Sequence, residues 1–507
     1  MTASVPPRAG RREWIGLGVI ALPCMLYSMD LTVLNLAVPS LSAELKPSSA
    51  QLLWIIDIYG FMVAGFLVTM GTLGDRIGRR RLLLIGATAF GITSVLAAFS
   101  KTPEMLIVSR ALLGISGATL APSTLSLLRN MFHDPEQRTV AVGIWITSYS
   151  AGAAIGPFLG GLLLQYYWWG SVFLLGVPIM LLLLVLGPIL LPEFRDPAAG
   201  KLDLLSAAMS LAAVLLAVYG FKHMAQDGVG WLSVLSIVAG LTIGLAFVKR
   251  QRALPSPLLD LRLFRAPAFS ASLVTYLLAT FVAFGAYIFL AQCLQLVLEL
   301  SPLEAGLWTL PSAGAFIVGS NLTPLIVRRF RPVSIIVGGL AFSVIGFALL
   351  TQVDRAAGLA LLVAGSVIYS LGLAPVFTLT NDLIIGNAPP EQAGAASAIS
   401  ETSSELGGAL GIAILGSIGT AIYRSRLANA VPAGIGPEAA EAAQGTLGGA
   451  VAVAQRVSPE IGLALLEPAR AAFTHSLQVA AAICAALVVV TAIVAARMLR
   501  SEVTGKR

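Results

Sequence analysis

Five ionisable side chains stand deep inside long apolar runs of this 507-residue chain: Asp30, Asp57, Arg110, Glu401 and Glu405. Asp30 lies in SMDLTVLNLAVPSL, Asp57 in LLWIIDIYGFM, Arg110 in LIVSRALLGISGA, and both glutamates in ASAISETSSELGGALG. A charge at the centre of a membrane costs roughly 3 kcal/mol or more unless it is paired or neutralised, so such residues are functional candidates by default. The two glutamates, four positions apart, share one helix face. The chemistry they fit is proton exchange. A low dielectric favours the neutral carboxylic acid. The carboxylate attracts a cation, so a proton and a cation exclude each other. A proton re-entering down the membrane potential supplies about 2.3 kcal/mol per 100 mV, which can drive export. Trp54, Tyr59, Trp145 and Tyr149 are near enough in sequence to line a cavity for a delocalised cation; packing or interface anchoring is the competing use of each. Arg110 fits either a proton relay or a structural counter-ion. Asp382 and Glu299 stand near run ends and read as solvated or interfacial.

The elements that must position these groups are membrane helices. The chain is 57% hydrophobic and 11% charged, against about 25% charged for soluble domains. Apolar runs of about 20 residues, enough to cross the hydrocarbon core, recur from end to end. Backbone groups in lipid must be satisfied within the segment, so these runs are helices. The expected spans are 14–38, 51–73, 81–99, 104–129, 138–164, 170–191, 203–221, 231–249, 269–296, 303–327, 332–352, 357–386, 394–423 and 472–497. The fold class is thus all-α and polytopic, with fourteen transmembrane helices. The net charge of +7 does not point to nucleic acid, because the basic residues fall in short segments between runs. Most of the 32 Lys and Arg fall on alternate segments, which puts both termini in the cytoplasm. The first run is too long for the apolar part of a cleavable signal peptide. Cys24, Cys293 and Cys484 lie within apolar runs and read as small buried hydrophobes. His133, His223 and His475 are scattered without zinc-ligand spacing. No metal or cofactor is expected, and without a phosphate-binding loop ATP is not the driving force.

Between the second and third runs lies GTLGDRIGRRR, with Gly71, Gly74, Asp75, Arg76, Gly78, Arg79 and Arg80. This reads as a tight cytoplasmic loop, with Asp75 and the arginines as a latch. A weaker copy, GSNLTPLIVRRFR, follows the tenth run at 319–331. The repeat makes the seventh and eighth runs an insertion between two six-helix bundles, the layout of secondary transporters. The expected divisions are 1–195, 196–266 (with a basic cytoplasmic linker at 249–265) and 267–507. In the fifth run, Gly152, Gly156 and Gly160 repeat every four residues beside Pro157 and Gly161. Small residues so spaced let helices approach closely, and the proline favours a kink. The external segment 424–471 is long and Ala/Gly-rich, with 458–473 reading as a short amphipathic helix. A lid over the outer opening and a passive hairpin are both open readings of it.

Taken together, these motifs resemble the major facilitator superfamily. The 71–81 stretch resembles its loop signature, Arg110 with Gly114 and Gly117 its fourth-helix signature, and 152–161 the fifth-helix signature of drug:proton antiporters. Residues 29–41 resemble the first-helix signature of the fourteen-helix subgroup. WWGSVFLLGVP, ELSPLEAGLWTLP and SETSSELGGALG are most similar to exporters of quaternary ammonium compounds, dyes and methyl viologen. The resemblance implies a monomeric proton-driven exporter of lipophilic cations, including biguanide-like antiseptics, working by alternating access. It places Asp30, Asp57 and Glu401 at the family's cation- and proton-binding acids. Some relatives carry an acid in the tenth helix; here Asn321 is the polar group of that size in 307–327. The alternatives are an exporter of one natural product or antibiotic on the same fold and, from a different class, a membrane-embedded enzyme or channel.

Overall fold

The computed structural model describes residues 8–195, 203–227, 230–254, 257, 261–354, 358–387, 393–428, 430–432 and 434–500. Lys201, Lys506, Arg507, most of 255–260 and the first residues of the expected insertion lie outside the described residues. Among the described residues the chain is helical, without strands. The first half contains α1 (Arg11–Leu45), α2 (Ser49–Ile77), α3 (Arg79–Ala98), α4 (Pro103–Gly117), α5 (Leu120–Met131), α6 (Pro135–Tyr166), α7 (Ser171–Leu174) and α8 (Gly176–Leu190). Next come α9 (Leu204–Asp227) and α10 (Trp231–Ala253). The rest comprises α11 (Pro267–Gln292), α12 (Pro302–Ile326), α13 (Pro332–Leu350), α14 (Gly358–Gly386), α15 (Ala393–Leu427), α16 (Pro437–Gly445), α17 (Leu447–Ala454) and α18 (Pro459–Arg500).

Every apolar run expected to be a helix is helical, and local chemistry sets the starts. Ser48 caps α2 with Gln51 reaching back, and Ser301 caps α12 with Glu304 reaching back; each pair satisfies two backbone donors reciprocally. Thr102 and Asp134 cap α4 and α6, each followed by proline at the first helical position, where its missing N–H costs nothing.

The structure departs from expectation in four places. The 104–129 run is interrupted at Ala118 and Thr119, where Thr119 lies over Gly86 at a spot that no Cβ could share. The 170–191 run is broken at Leu175. The 458–473 stretch is no separate amphipathic helix but the opening of the 42-residue α18. Buried Leu465, Ala469, Ala472 and Phe473 continue the apolar face of the last run without a boundary. Finally, 71–81 is not a loop: α2 runs through Ile77, α3 starts at Arg79, and Gly78 alone leaves the helix, at φ 111°.

Among the described residues twelve helices are long and apolar enough to cross a membrane. Two of the fourteen expected crossings miss that measure. The apolar part of α9 is short, Leu204–Gly220, and α12 is diluted by Pro311, Pro324, Ser312, Asn321 and Glu304. Large apolar side chains such as Ile85, Leu181, Val185 and Leu245 are exposed, a surface suited to lipid rather than water.

The helices pack in two groups. In the first, α1 lies on α6 and α8, α2 on α4, and α3 on α4 and α8. In the second, α11 lies on α15, α14 and α18, α12 on α14, and α13 on α14 and α18. The α9–α10 pair rests on α2 and α15 through α9. The groups meet chiefly along two seams, α2 with α15 and α6 with α12. Close approaches across them lie away from the arginine-rich end of the molecule: Leu53 with Gly416, Gly60 with Ala409, Pro157 with Gly306, and Gly161 with Pro302. The far end carries cross-ties as well. Ser49 donates to the Gly445 carbonyl at 2.5 Å and Gln295 to the Leu36 carbonyl at 3.0 Å.

Gly78 is the local constraint easiest to test. Its φ belongs to a region that side-chain-bearing residues rarely adopt, and a Cβ there would lie 2.5 Å from a Glu193 carboxylate oxygen. Gly78→Ala is expected to cost about 1–3 kcal/mol, read as a lower unfolding temperature of the detergent-solubilised protein. Unchanged unfolding would show that the α2–α3 corner relaxes freely.

Candidate functional site

Arg110 is 1% exposed at the junction of α4, α2 and α1. Its Nη1 donates to Asp30, its Nε to the Ile55 carbonyl at 3.1 Å and its Nη2 to the Ile56 carbonyl at 3.3 Å. The Tyr59 ring lies 4.8 Å from the guanidinium carbon, within cation–π range. Gly114 makes this reach possible: a Cβ there would stand 2.5 Å from the Tyr59 carbonyl, so α4 lies directly on α2. Asp30 is therefore not a bare acid. Its charge is balanced by Arg110, and protonating it would strand a guanidinium in the interior. The buried pair serves as a fixed brace across three helices.

A second polar centre lies on the α2–α15 seam. Tyr27, one turn before Asp30 on α1, donates to Glu405 Oε1 at 2.6 Å, joining the two helix groups inside the protein. Glu405 and Asp57 line one cavity of about 40 Å³ with Leu31, Ile56, Phe284 and Ser404. That is room for water but not for an organic cation. Glu401, half-buried one turn closer to the arginine end, is within electrostatic range of Cys24, Tyr27, Tyr149 and Tyr276. Among the described residues no Lys or Arg pairs with Glu401 or Glu405.

Aromatic rings connect the two centres. Tyr27 is 6.2 Å from Tyr59 and 5.7 Å from Tyr149, and Tyr149 is 4.8 Å from Trp145. Trp145 is fixed by its Nε1 donating to Thr124 Oγ1 at 3.1 Å. Trp54 does not join them. It packs with Phe61, Val218 and Leu215 where α9 meets α2 and α15, because its position on α2 points it at the inserted pair. Asn321 also stands apart, exposed, with its amide donating to the Ile317 carbonyl at 2.8 Å.

The glycines of α6 have two uses. Gly152, Gly156 and Gly160 face α1 at Met25, Met29 with Thr32, and Val33. Gly161 and the Pro157 carbonyl face α12 at Pro302 and Gly306. These positions thus clamp α6 between the two helix groups. The arginine cluster ties only the first group. Arg79 pairs with Asp75 at 2.5 Å and donates to the Pro122 carbonyl at 3.2 Å. Arg80 donates to the Leu191 carbonyl at 3.0 Å and pairs with Glu193 at 3.7 Å. Gly74 leaves room for the Arg79 side chain, Gly71 borders Pro122, and Arg76 is exposed. At the far end, Glu299 is not simply solvated; it pairs with Arg470.

Sequence reasoning passed over Tyr27 and Thr124. The available signal for Tyr27 was its place one turn from Asp30, on the same face.

Removing one member of a buried ion pair costs about 3–5 kcal/mol, because the other is left uncompensated. Arg110→Leu is expected to lose that much stability, and Asp30→Leu/Arg110→Leu together to recover more than half, measured by thermal unfolding in detergent. Additive losses would contradict the brace.

Residues 20–412 match the model of the Major Facilitator Superfamily. The chain is 43% identical over 487 residues to the multidrug efflux pump LfrA of Mycolicibacterium smegmatis, covering 96% of each. It is 37% identical over 477 residues to the methyl viologen resistance protein SmvA of Salmonella typhimurium, covering 92% of this chain and 94% of that one. It is 34% identical to the tetracenomycin C resistance and export protein of Streptomyces glaucescens, covering 80% of this chain and 76% of that one. Its backbone superposes with a TM-score of 0.65 and 17% identity on a bacterial homologue of the human lysosomal transporter Spinster, covering 97% and 99%. The matched span, the relatives and the paired helix groups agree: this chain belongs to the Major Facilitator Superfamily.

Proposed function

We propose that this protein is a proton-coupled efflux antiporter for lipophilic cations, crossing the cytoplasmic membrane fourteen times with both termini inside. The observation that carries this is the pair of acids, Asp57 and Glu405, lining one cavity on the seam between the helix groups, with Glu401 a turn away among aromatic rings. A carboxyl there can hold a proton or a cation, not both. The relatives named for multidrug efflux and methyl viologen resistance support the same cargo class.

Residues 1–195 and 267–507 act as the two rocking bundles, with 196–266 inserted between them, and a single chain is the working unit. The α9 and α12 segments complete the fourteen crossings, since each lies within the helical packing. With the arginine end cytoplasmic, the close seam contacts lie at the outer side. This conformation is then closed to the exterior, and α6 glycines, Pro302 and the Ser49–Gly445 tie form the closure. The Asp75–Arg79–Arg80 cluster stiffens the inner end of one bundle; in the opposite conformation it is free to meet the other. Arg110 holds Asp30 and α2 in register while Glu405, Glu401 and Asp57 carry the exchange.

A relative named for tetracenomycin C export keeps a natural-product exporter as the second reading. Efflux from everted membrane vesicles of an efflux-deficient host, with mono- and divalent cations, neutral compounds and aromatic polyketides as cargo, separates the two. Asp30→Asn keeps an acceptor for Arg110 but leaves its charge uncompensated. It is expected to reach the membrane folded, with ethidium efflux lowered and the acid limb of its pH profile unmoved. A displaced acid limb would show that Asp30 takes part in the exchange. Glu401→Gln is expected to lower efflux of cationic cargo at least tenfold more than that of neutral cargo. Equal effects would make Glu401 structural.

A further inference from the structure

The geometry points to Tyr27 as a positioning residue that ties the charge on Glu405 to closure of the seam between the two bundles. The hydroxyl belongs to α1 and the carboxylate to α15, so the bond bridges parts that must separate when the outer side opens. Its length, 2.6 Å, falls in the range of a hydroxyl donating to a charged carboxylate, a bond about twice as strong as a neutral one. Tyr27 is 1% exposed and Glu405 8% exposed, so the bond is shielded from bulk water. When Glu405 takes up a proton from the aqueous phase, the charge assistance disappears and one tie across the seam weakens. The inference rests on Glu405 exchanging a proton as proposed above.

Among the described residues no other group around Glu405 offers this link. On α2, Asp57 shares its cavity, and Tyr59 is engaged over Arg110. Tyr149 of α6 and Tyr276 of α11 act on it through space, as does Glu401 on its own helix. The α9 face turned to this region presents Val214, Leu215 and Val218. Contacts from α18 reach α15 farther out, at Ser476 with Gly419, and α14 reaches it nearer the arginine end, at Asn381 with Ser400. Asp30 is occupied by Arg110. Tyr27 is the residue whose neutral hydroxyl can read the charge on Glu405 from the opposite bundle.

The test uses full-length protein in proteoliposomes, with ethidium as cargo and the pH of the cargo-loading side varied. Tyr27→Phe keeps the ring and removes only the donor. A bond to a charged group of this kind corresponds to about one pH unit. The acid limb of the efflux profile is expected to move by about that much toward alkaline pH, with monodisperse protein on size exclusion. Glu405→Asp, whose shorter arm withdraws the carboxylate, is expected to give the same displacement. In a Glu405→Gln background, Tyr27→Phe is expected to change efflux less than twofold. A Tyr27→Phe profile that coincides with the parent, while Glu405→Gln abolishes coupling, would overturn this inference and leave the antiporter reading standing. Losses that multiply in the double variant would also overturn it. Full proton-coupled efflux by Glu405→Gln would overturn both.

Discussion

A guanidinium buried among three helices organises the first half of this protein. Arg110 cannot be solvated where it lies, so α1 must bring it a carboxylate and α2 must bring it two carbonyls. That requirement fixes the rotation of α1, and the rotation of α1 fixes the rest. With Asp30 turned toward Arg110, Tyr27 one turn earlier is aimed at the other bundle, while Met25, Met29 and Val33 meet the glycines of α6. The brace holds three helices in one register.

Separating the compensated charge from the exchangeable ones resolves how acids survive in this interior. A paired acid can stay ionised and hold helices in register. In the proposed mechanism, acids such as Glu401 and Glu405, which no Lys or Arg pairs among the described residues, are neutral when protonated or satisfied by a bound cation, so occupancy is the switch. Placing the second kind on the α2–α15 seam makes the switch mechanical. Anything that changes the charge of Glu405 changes a contact between bundles. The same seam and its α6–α12 counterpart are closed at one end by glycines, and the cavity beside Glu405 and Asp57 is of water size.

Much of this was legible in the sequence. Each apolar run became helical, two of them with a break, because a backbone in hydrocarbon has few alternatives. The glycine repeat of α6 reported its own use, since three small residues on one face have little purpose but close approach. The lone acids announced themselves by cost. What escaped was long-range or graded. A tyrosine in an apolar run looks like packing, and the partner of Tyr27 stands on another bundle, 378 positions away. Trp54 was placed with the other aromatics by sequence proximity to Asp57, yet the inserted α9 claims its face. Helix ends misled where polar residues were read as loops. The charges of 71–81 are carried on two helices meeting at one glycine, because Arg79 and Asp75 satisfy each other across the break. Among the described residues the crossing count by composition stops at twelve, because the apolar part of α9 is short and α12, which packs on α6 and α14 along one side, spends its apolar character on prolines and polar residues that are largely exposed.

The central claim is that cation and proton compete for acids on the bundle seam. The most direct measurement is proton release from the purified protein in weakly buffered detergent solution when a quaternary ammonium or methyl viologen salt is added. The account expects acidification that is greatest over the acid limb of the efflux profile, disappears in Glu405→Gln and is absent with a neutral analogue of the same size. Cation binding with no proton released, or the same release from Glu405→Gln, would contradict it.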